Sequence, residues 1–425
     1  MGLRVAPQKT EAIFFHDGRR GKPPVAHVRV DDTPVQLGTS MKYLGLRLDG
    51  RWSYRDHVDR LVPKLDGMAA ALTRLLPNLG GPGDRVRKLY ANTVNSVALY
   101  GAPAWADEAV ATRHIRDAFR RVQRRVAIRV VRGYRTVSHI AASVLAGLPP
   151  MELVARAHKR MYEQIKELRG LGVLVTKGTQ GAVRLQARRQ LAEEWREYLT
   201  SIPPTASGTR VVGAVGPVLE EWMDRPRGIK MSFHLTRVLS GHGCFGEYLC
   251  KIGKESTKHC HHCEEEDTAQ HTLEHCPAWA DERRVLTNTI GEDLSLPTVV
   301  RQMVGSEDNW KAVSSFCSNI MRQEEAERER ERRGRRGRHA LTPESRRERR
   351  SYLGALARKR SSPRRKTKVG SNPAPRRKTE GKPGPTIVKG DAPLETPDIL
   401  RDRGRMGGEG YRRVKIGGSR RRIPP

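Results

Sequence analysis

Over the first 50 positions, short apolar runs alternate with turn-forming residues; beyond them the apolar period lengthens to that of a helix. Ala12-Ile13-Phe14-Phe15 and Val25-Ala26-His27-Val28-Arg29-Val30 read as strands, with Asp31-Asp32-Thr33-Pro34 as the turn that follows. Val35-Gln36-Leu37 and Tyr43-Leu44-Gly45-Leu46-Arg47-Leu48 read as two further strands. The pattern predicts a small antiparallel β unit over residues 1–50, too small to be stable unaided. It would lean on the helices after it or on a further domain. Beyond Arg51, apolar residues recur at helical spacing in His57-Val58-x-x-Leu61-Val62-x-x-Leu65 and again from Val86 to Leu99. Pro77, Gly80-Gly81-Pro82-Gly83 and Gly101-Ala102-Pro103 break the pattern into several helices with short connections. Val183–Leu199, Val218–Met223, Ala278–Leu286 and Trp310–Met321 read as further helices, with Pro203-Pro204 and Ser207-Gly208 as a linker.

Charge changes this picture most. The 425 residues carry a formal net charge of +33, with aromatic residues at only 5%, a balance that favours a polyanionic partner, nucleic acid above all. From Arg322 to the end there are 33 basic and 13 acidic residues, so about +20 of the charge lies in the last quarter. That stretch is rich in Arg, Lys, Gly, Pro and Ser and repeats Pro-Arg-Arg-Lys-Thr at Pro363–Thr367 and Pro375–Thr379. It has too little apolar surface to offset its ordering entropy, so residues 324–425 are expected to form a disordered basic tail, with Glu324–Arg338 helical if anything. Arg364, Arg365 and Lys366 are its candidate contacts to nucleic acid or to the nuclear import machinery. The helix expected over Arg113–Arg132 sets Arg116, Arg120, Arg121, Arg124 and Arg125 around an apolar stripe of Ile115, Phe119, Val122 and Val126. Such a helix buries one face and can meet phosphates with the other, although a solvated charged face has the same pattern. No apolar run approaches membrane-spanning length and the N-terminus does not read as a signal peptide. The expectation is a soluble protein in a reducing compartment, with no membrane partner.

Chemistry concentrates in Gly241–Trp279, which holds five of the six cysteines. Cys260, Cys263, His271 and Cys276 form C-x2-C-x7-H-x4-C. Two cysteines two residues apart point both thiolates at one ion from a tight turn, and a His and a Cys slightly more than a helical turn apart complete a tetrahedron. Three sulfurs and one imidazole suit a single structural zinc ion and leave no open position for a water. The competing reading is incidental buried cysteines; His259, His261, His262, His275, Cys244 and Cys250 also stand nearby as possible ligands. Cys317 lies far from this spacing and reads as a core residue. Val30-Asp31-Asp32 has the look of a polymerase metal hairpin, but Asp-Asp-Thr-Pro is ordinary turn chemistry and no neighbouring strand upstream supplies the third carboxylate that two-metal chemistry needs.

With these pieces in place, the chain resembles the C-terminal part of the reverse-transcriptase reading frame of non-LTR (LINE-type) retrotransposons. The nearest likeness is to the arthropod type-1 elements that insert into ribosomal DNA. Gly2–Glu11 is similar to the polymerase segment after the catalytic Asp-Asp hairpin, and Lys42–Asp49 to the segment supporting the primer strand at the palm edge. Tyr134–Ser138 and Val144–Pro150 are similar to the helical region beyond the palm. Gly241–Leu249 and the Cys260/Cys263/His271/Cys276 quartet are similar to the family's cysteine-histidine module. The likeness runs from residue 2 to about 285 and fades before the tail.

The resemblance implies RNA-templated DNA synthesis for the full-length enzyme, with magnesium held by palm aspartates upstream of Met1. It implies that the endonuclease and catalytic palm are missing from this chain. Lys9 stands at the family's proton-donor position; with no carboxylates to work with, it is expected to be idle here.

The expected fold is α+β, mainly α. It comprises a palm-edge remnant (1–50), a helical thumb-like region (51–175), a helical connector (176–238), a CCHC zinc module (239–285), C-terminal helices (286–323) and the tail (324–425). The expected function is that of a truncated reverse transcriptase, inactive alone, that binds template RNA or target DNA in the nucleus, with a cytoplasmic ribonucleoprotein stage. The alternative is a non-enzymatic zinc-containing adaptor or a retroelement relic.

Overall fold

In a computed structural model, which describes residues 5–338 apart from 20, 22, 24 and 226–228, the chain begins with five short strands. They are β1 (Ala12–Ile13), β2 (His27–Val30), β3 (Thr33–Gly38), β4 (Ser40–Tyr43) and β5 (Leu46–Asp49). The sheet order is β1-β3-β2 in one sheet and β4-β5 in another. β2 and β3 are antiparallel, as are β4 and β5, but β1 pairs with β3 in parallel, so the unit is mixed rather than purely antiparallel. Parallel pairing is possible because β1 is joined to β3 through β2 and a long connection instead of a tight turn.

Two turns differ from the sequence reading. Thr33 and Pro34 belong to β3, and the turn is made by Asp31 and Asp32 alone, both left-handed (φ 44° and 60°). The stretch Tyr43–Leu48, expected as one strand, is folded back at Leu44-Gly45 (φ 46° and 83°) into the β4-β5 hairpin. Two consecutive left-handed residues give the turn whose twist matches paired strands, and Asp and Gly are the residues that accept it most cheaply. Phe14 and Phe15, expected to extend β1, leave the strand after Ile13.

Helices follow: α1 (Arg55–Arg74), α2 (Asp84–Ala98), α3 (Ala102–Ala111), α4 (Arg113–Val130), α5 (His139–Ala146), α6 (Met151–Gly170), α7 (Lys177–Thr200), α8 (Thr209–Val215), α9 (Leu219–Asp224), α10 (Phe233–Ser240), α11 (Gly246–Lys251), α12 (Ala269–Glu274), α13 (Ala280–Ile290), α14 (Leu296–Gly305) and α15 (Glu307–Arg338). The fold is thus mainly helical with a small β region at its N-terminal end. α4 lies at the centre of the first half, packed against α1, α2, α3, α5 and α6, and buries the expected stripe of Ile115, Phe119, Val122 and Val126.

One buried core runs from Leu48 to Met321, so residues 51–175, 176–238, 239–285 and 286–323 all contribute to it. Tryptophans tie it together. Trp222 donates to the Val144 carbonyl at 3.0 Å and its ring lies 5.3 Å from that of Trp310, which joins α9 to α5 and α15. Cys317 is fully buried in α15, where burial pushes its thiol up to about 12.

α15 passes without a break through residue 324, so the segment 324–338 is helical and not the start of an unstructured tail. Its Arg/Glu run supplies i,i+4 pairs, Glu324–Arg328 at 3.6 Å and Glu329–Arg333 at 3.1 Å, that favour the helix. Arg364, Arg365 and Lys366, with the rest of the tail beyond Arg338, lie outside the described residues. Among the described residues no single helix is long and apolar enough to cross a membrane; α5 and α6 reach the criterion only as a pair bent by 50°.

Candidate metal centre and its surroundings

The four residues picked out by spacing converge. The ligand atoms of Cys260, Cys263, His271 and Cys276 all lie within 4.8 Å of one another, and the cluster is almost entirely buried. Cys260 Sγ and Cys276 Sγ are 3.8 Å apart, and Cys263 Sγ is 3.2 Å from His271 Nε2. A tetrahedral zinc site with Zn–S bonds of about 2.3 Å has edges of about 3.8 Å, so the donor set and its size fit zinc. Among the described residues no other group of three or more Cys, His, Asp or Glu side chains is gathered in this way.

Local backbone bonds create the convergence. Cys260 and Cys263 sit on a turn closed by the Cys260 N–H to the Glu265 carbonyl (2.7 Å) and the Glu264 N–H to the Cys260 carbonyl (3.0 Å). Glu264 takes a left-handed conformation (φ 61°) to complete it. Thr268 caps α12 by accepting the His271 N–H at 2.9 Å, which places the imidazole on the helix's first turn. The Cys276 N–H donates back to the His271 carbonyl at 2.9 Å just past the end of α12, and Pro277 opens a 3-10 turn beyond it. Glu265 lies 3.4 Å from His271 Nδ1, so it fixes the ring with Nε2 facing the sulfurs. Burial pushes the Cys260 thiol up to about 12, raises Cys276 and lowers His271. A divalent cation reverses the cost for the thiols by supplying the charge that a buried thiolate needs, while a neutral imidazole is already the ligand form.

The neighbouring histidines are committed elsewhere. His259 bonds through Nδ1 to the Glu264 carbonyl (2.8 Å), and His261 faces Glu255 (3.8 Å). His262 faces Glu324 and Glu327 of α15 (3.4 Å each) and packs edge-on to Trp279; His275 faces Glu274 (3.2 Å). Cys244 is buried 3.7 Å from Met321 Sδ, and neither it nor Cys250 joins the cluster.

A second layer, which the spacing does not reveal, locks the metal loop to the body. Asp267 is buried and accepts the Gly246 N–H at 2.6 Å, while its carbonyl accepts the Glu247 N–H at 3.0 Å, pinning α11 to the ligand loop. Arg328 of α15 reaches Asp267 at 3.3 Å and also pairs with Glu255 and Glu324. Arg237 of α10, almost wholly buried, pairs with Glu325 and lies over the rings of Phe233 (5.4 Å) and Tyr134 (6.0 Å). The signal for this layer was the acidic run Glu264–Asp267 between the ligands, which has no role in binding the ion itself.

The arginines of α4 are mostly turned to internal partners. Arg116 donates to the Val110 carbonyl, and Arg120 grips the buried Glu152 through Nε (2.9 Å) and Nη2 (2.6 Å) while lying over Tyr198 at 5.1 Å. Arg124 donates to the carbonyls of Val137 (2.9 Å) and Arg135, and Arg125 pairs with Asp66 at 3.1 Å. Arg121 and Arg125 are exposed, and Arg121 pairs with no described residue. Lys9 is exposed at the end of the 3-10 turn Pro7–Lys9.

By holding the Tyr134–Val137 loop, Arg124 helps shape a surface that joins the body to the metal module. There Thr136 Oγ1 and the Tyr248 hydroxyl are 2.7 Å apart, and the ring of His242 lies 4.9 Å from that of Tyr248. Arg135, next to Thr136, and Lys251, whose charge acts on the His242 imidazole, are both exposed.

No family model and no solved structure matches the chain. Curated relatives do. A retrovirus-related Pol polyprotein from the type-1 retrotransposable element R1 4 of Nasonia vitripennis is 24% identical over 323 residues, 74% of this chain and 79% of that protein. The corresponding R1 Pol polyprotein of Bradysia coprophila is 26% identical over 294 residues, which is 66% of this chain but only 28% of the relative. A second R1 Pol polyprotein of Nasonia vitripennis is 23% identical over 261 residues, 59% of this chain and 74% of its own length. The curated homologues of this chain are therefore Pol polyproteins of the insect type-1 retrotransposable element R1.

Proposed function

We propose that the chain is the nucleic-acid-gripping region of a type-1 retroelement reverse transcriptase, acting by binding and not by chemistry of its own. In this reading the β unit corresponds to a palm edge and α1–α6 to a thumb-like support. One structural zinc ion on Cys260, Cys263, His271 and Cys276 holds α11 and α12 in place. Magnesium belongs to the carboxylates of the complete polymerase. Lys9, exposed at the end of its 3-10 turn, carries no catalytic role in this reading. The partners are RNA or DNA, and the proposed place of action is the nucleus.

The observation that carries this reading is the cationic and aromatic surface of Arg135, His242, Tyr248 and Lys251, seated where the Cys/His module meets the body. Lysines and arginines there displace counterions from a phosphate backbone, while Tyr248 and His242 offer ring faces to unpaired bases. Zinc acts at one remove, since α11 keeps its place only while Asp267 and the ligand loop keep theirs. The α4 arginines contribute mainly by shaping this surface, with Arg121 the one left for direct phosphate contact.

The test is a fluorescence-anisotropy titration of the purified chain with structured RNA and nicked duplex DNA, across a salt series, with zinc and with chelator. The basic tail contributes a zinc-independent background, so the zinc-dependent fraction is the readout. Affinity that falls on chelation and falls linearly with log salt supports the reading. Affinity unchanged by chelation, or absent, contradicts it.

A further inference from the structure

At the far end of the described chain, three aromatic rings stand largely in solvent. Phe14, Phe15 and Trp52 are 46%, 44% and 50% exposed, in a unit that otherwise buries very little. Phe15 and Trp52 are stacked on each other, with centroids 4.8 Å apart and planes 13° from parallel. Aromatic rings left outside a core are ordinarily scattered; two held face to face form a built feature.

The stack is held from behind. Trp52 lies 6.2 Å from the ring of Tyr54, which is buried in the core at the start of α1. Asp49 fixes the loop, with its Oδ1 accepting the N–H groups of Arg51 (3.1 Å) and Ser53 (3.0 Å) and its Oδ2 accepting the Ser53 hydroxyl (3.1 Å). The His16 N–H donates to the Gly50 carbonyl at 2.8 Å, and Gly50 is so close to the Phe14 carbonyl that a Cβ would stand 2.4 Å from it. The platform is therefore preorganised, with Trp52 held in the left-handed region (φ 56°).

Charge selects the occupant. Arg51 and Arg55, within three residues of Trp52, are exposed; of the nearby carboxylates, Asp49 is consumed by the bonds above and exposed Asp17 pairs with Arg19 at 3.6 Å. Rings flanked by cations suit a polyanion with free aromatic faces. A duplex hides its base faces, and a single strand presents them. We propose that Phe15 and Trp52 form a stacking platform for the bases of single-stranded nucleic acid, with Arg51 and Arg55 meeting its phosphates. This rests on the nucleic-acid reading above but uses a surface separate from the metal module.

The test uses the full chain with a labelled oligothymidine of about 20 nucleotides and a duplex of the same length, at salt high enough to suppress purely phosphate contacts. Trp52→Ala and Phe15→Ala are each expected to weaken single-strand binding roughly tenfold, with duplex binding changed less than about twofold. Trp52→Phe should restore most of the affinity while removing the tryptophan fluorescence quenching that the oligonucleotide causes in the native chain. Thermal melting confirms folding, and Phe15→Ala carries the test if Trp52→Ala fails to fold. Unchanged single-strand affinity in a folded variant overturns the platform alone, as does a change in self-association without a change in binding, which would mark a protein-docking surface. An equal loss on duplex also overturns it. A native chain that binds neither nucleic acid overturns both this inference and the function it rests on.

Discussion

The metal module and the N-terminal β unit face the same shortage of core and meet it differently. Between Gly241 and Trp279 the helices are only six residues long, and the one β pairing is the bridge between His259 and Glu266. Order there comes from four convergent ligands and from α15, whose Arg328 and Glu325 clamp the module's flanks. The β unit has no such clamp. Among its described apolar residues before Tyr54, only Val35 and Leu48 are buried, and it relies on tight left-handed turns and backbone pairing. One unit is thus held by charge and by a gathered set of four potential metal ligands; the other by turn geometry, with its aromatic side chains left outward. A small unit can be precise without a core, but its precision then depends on one identifiable device.

The comparison breaks most visibly if the metal is removed. Chelation, or Cys276→Ala, should unfold the ligand loop, release α11 and lower the thermal midpoint by many degrees, because zinc-site energy is folding energy. Hydrogen exchange should rise across Gly241–Trp279 and in residues 322–328 of α15, while residues 12–54 keep their protection. Exchange rising equally in both units would mean that they are not independently anchored.

Arg328→Ala comes next. It leaves buried Asp267 without its cation and should cost about 3 kcal/mol, the scale for breaking a buried pair. Denaturant unfolding of the zinc-loaded protein measures it, and zinc should remain bound. A loss under about 1 kcal/mol would mean that α15 does not clamp the module.

The smallest effect sharpens the other side. Gly50→Ala forces a Cβ against the Phe14 carbonyl and should cost about 1–2 kcal/mol, confined to the β unit. It should shift Trp52 emission while leaving zinc content untouched. No change in stability or emission would show that the loop is not held against Phe14.

Which parts were legible follows from how local each device is. The stripe of Ile115, Phe119, Val122 and Val126 could be read because a helix's period is written in its own residues. The Cys/His cluster could be read for the same reason, since a turn and a capped helix bring all four residues together within seventeen positions (260–276). The neighbouring histidines could not be sorted, because what claims His262 is Glu324 and Glu327, some sixty residues on. The partners of the α4 arginines were hidden in the same way, because Glu152 and Asp66, which pair with Arg120 and Arg125, lie 32 and 59 residues away. The Tyr43–Leu48 hairpin was missed because Leu44 has to adopt a left-handed conformation that its residue type does not announce.

The central claim, that one zinc ion on three sulfurs and one imidazole organises this region, is met most directly by X-ray absorption at the zinc edge on the purified chain, with metal content counted alongside. The account predicts one zinc per chain, three sulfur neighbours at about 2.3 Å and one nitrogen at about 2.0 Å, with the site lost in Cys276→Ala. Two or fewer sulfurs, an oxygen neighbour, or a chain that folds fully without zinc would contradict it.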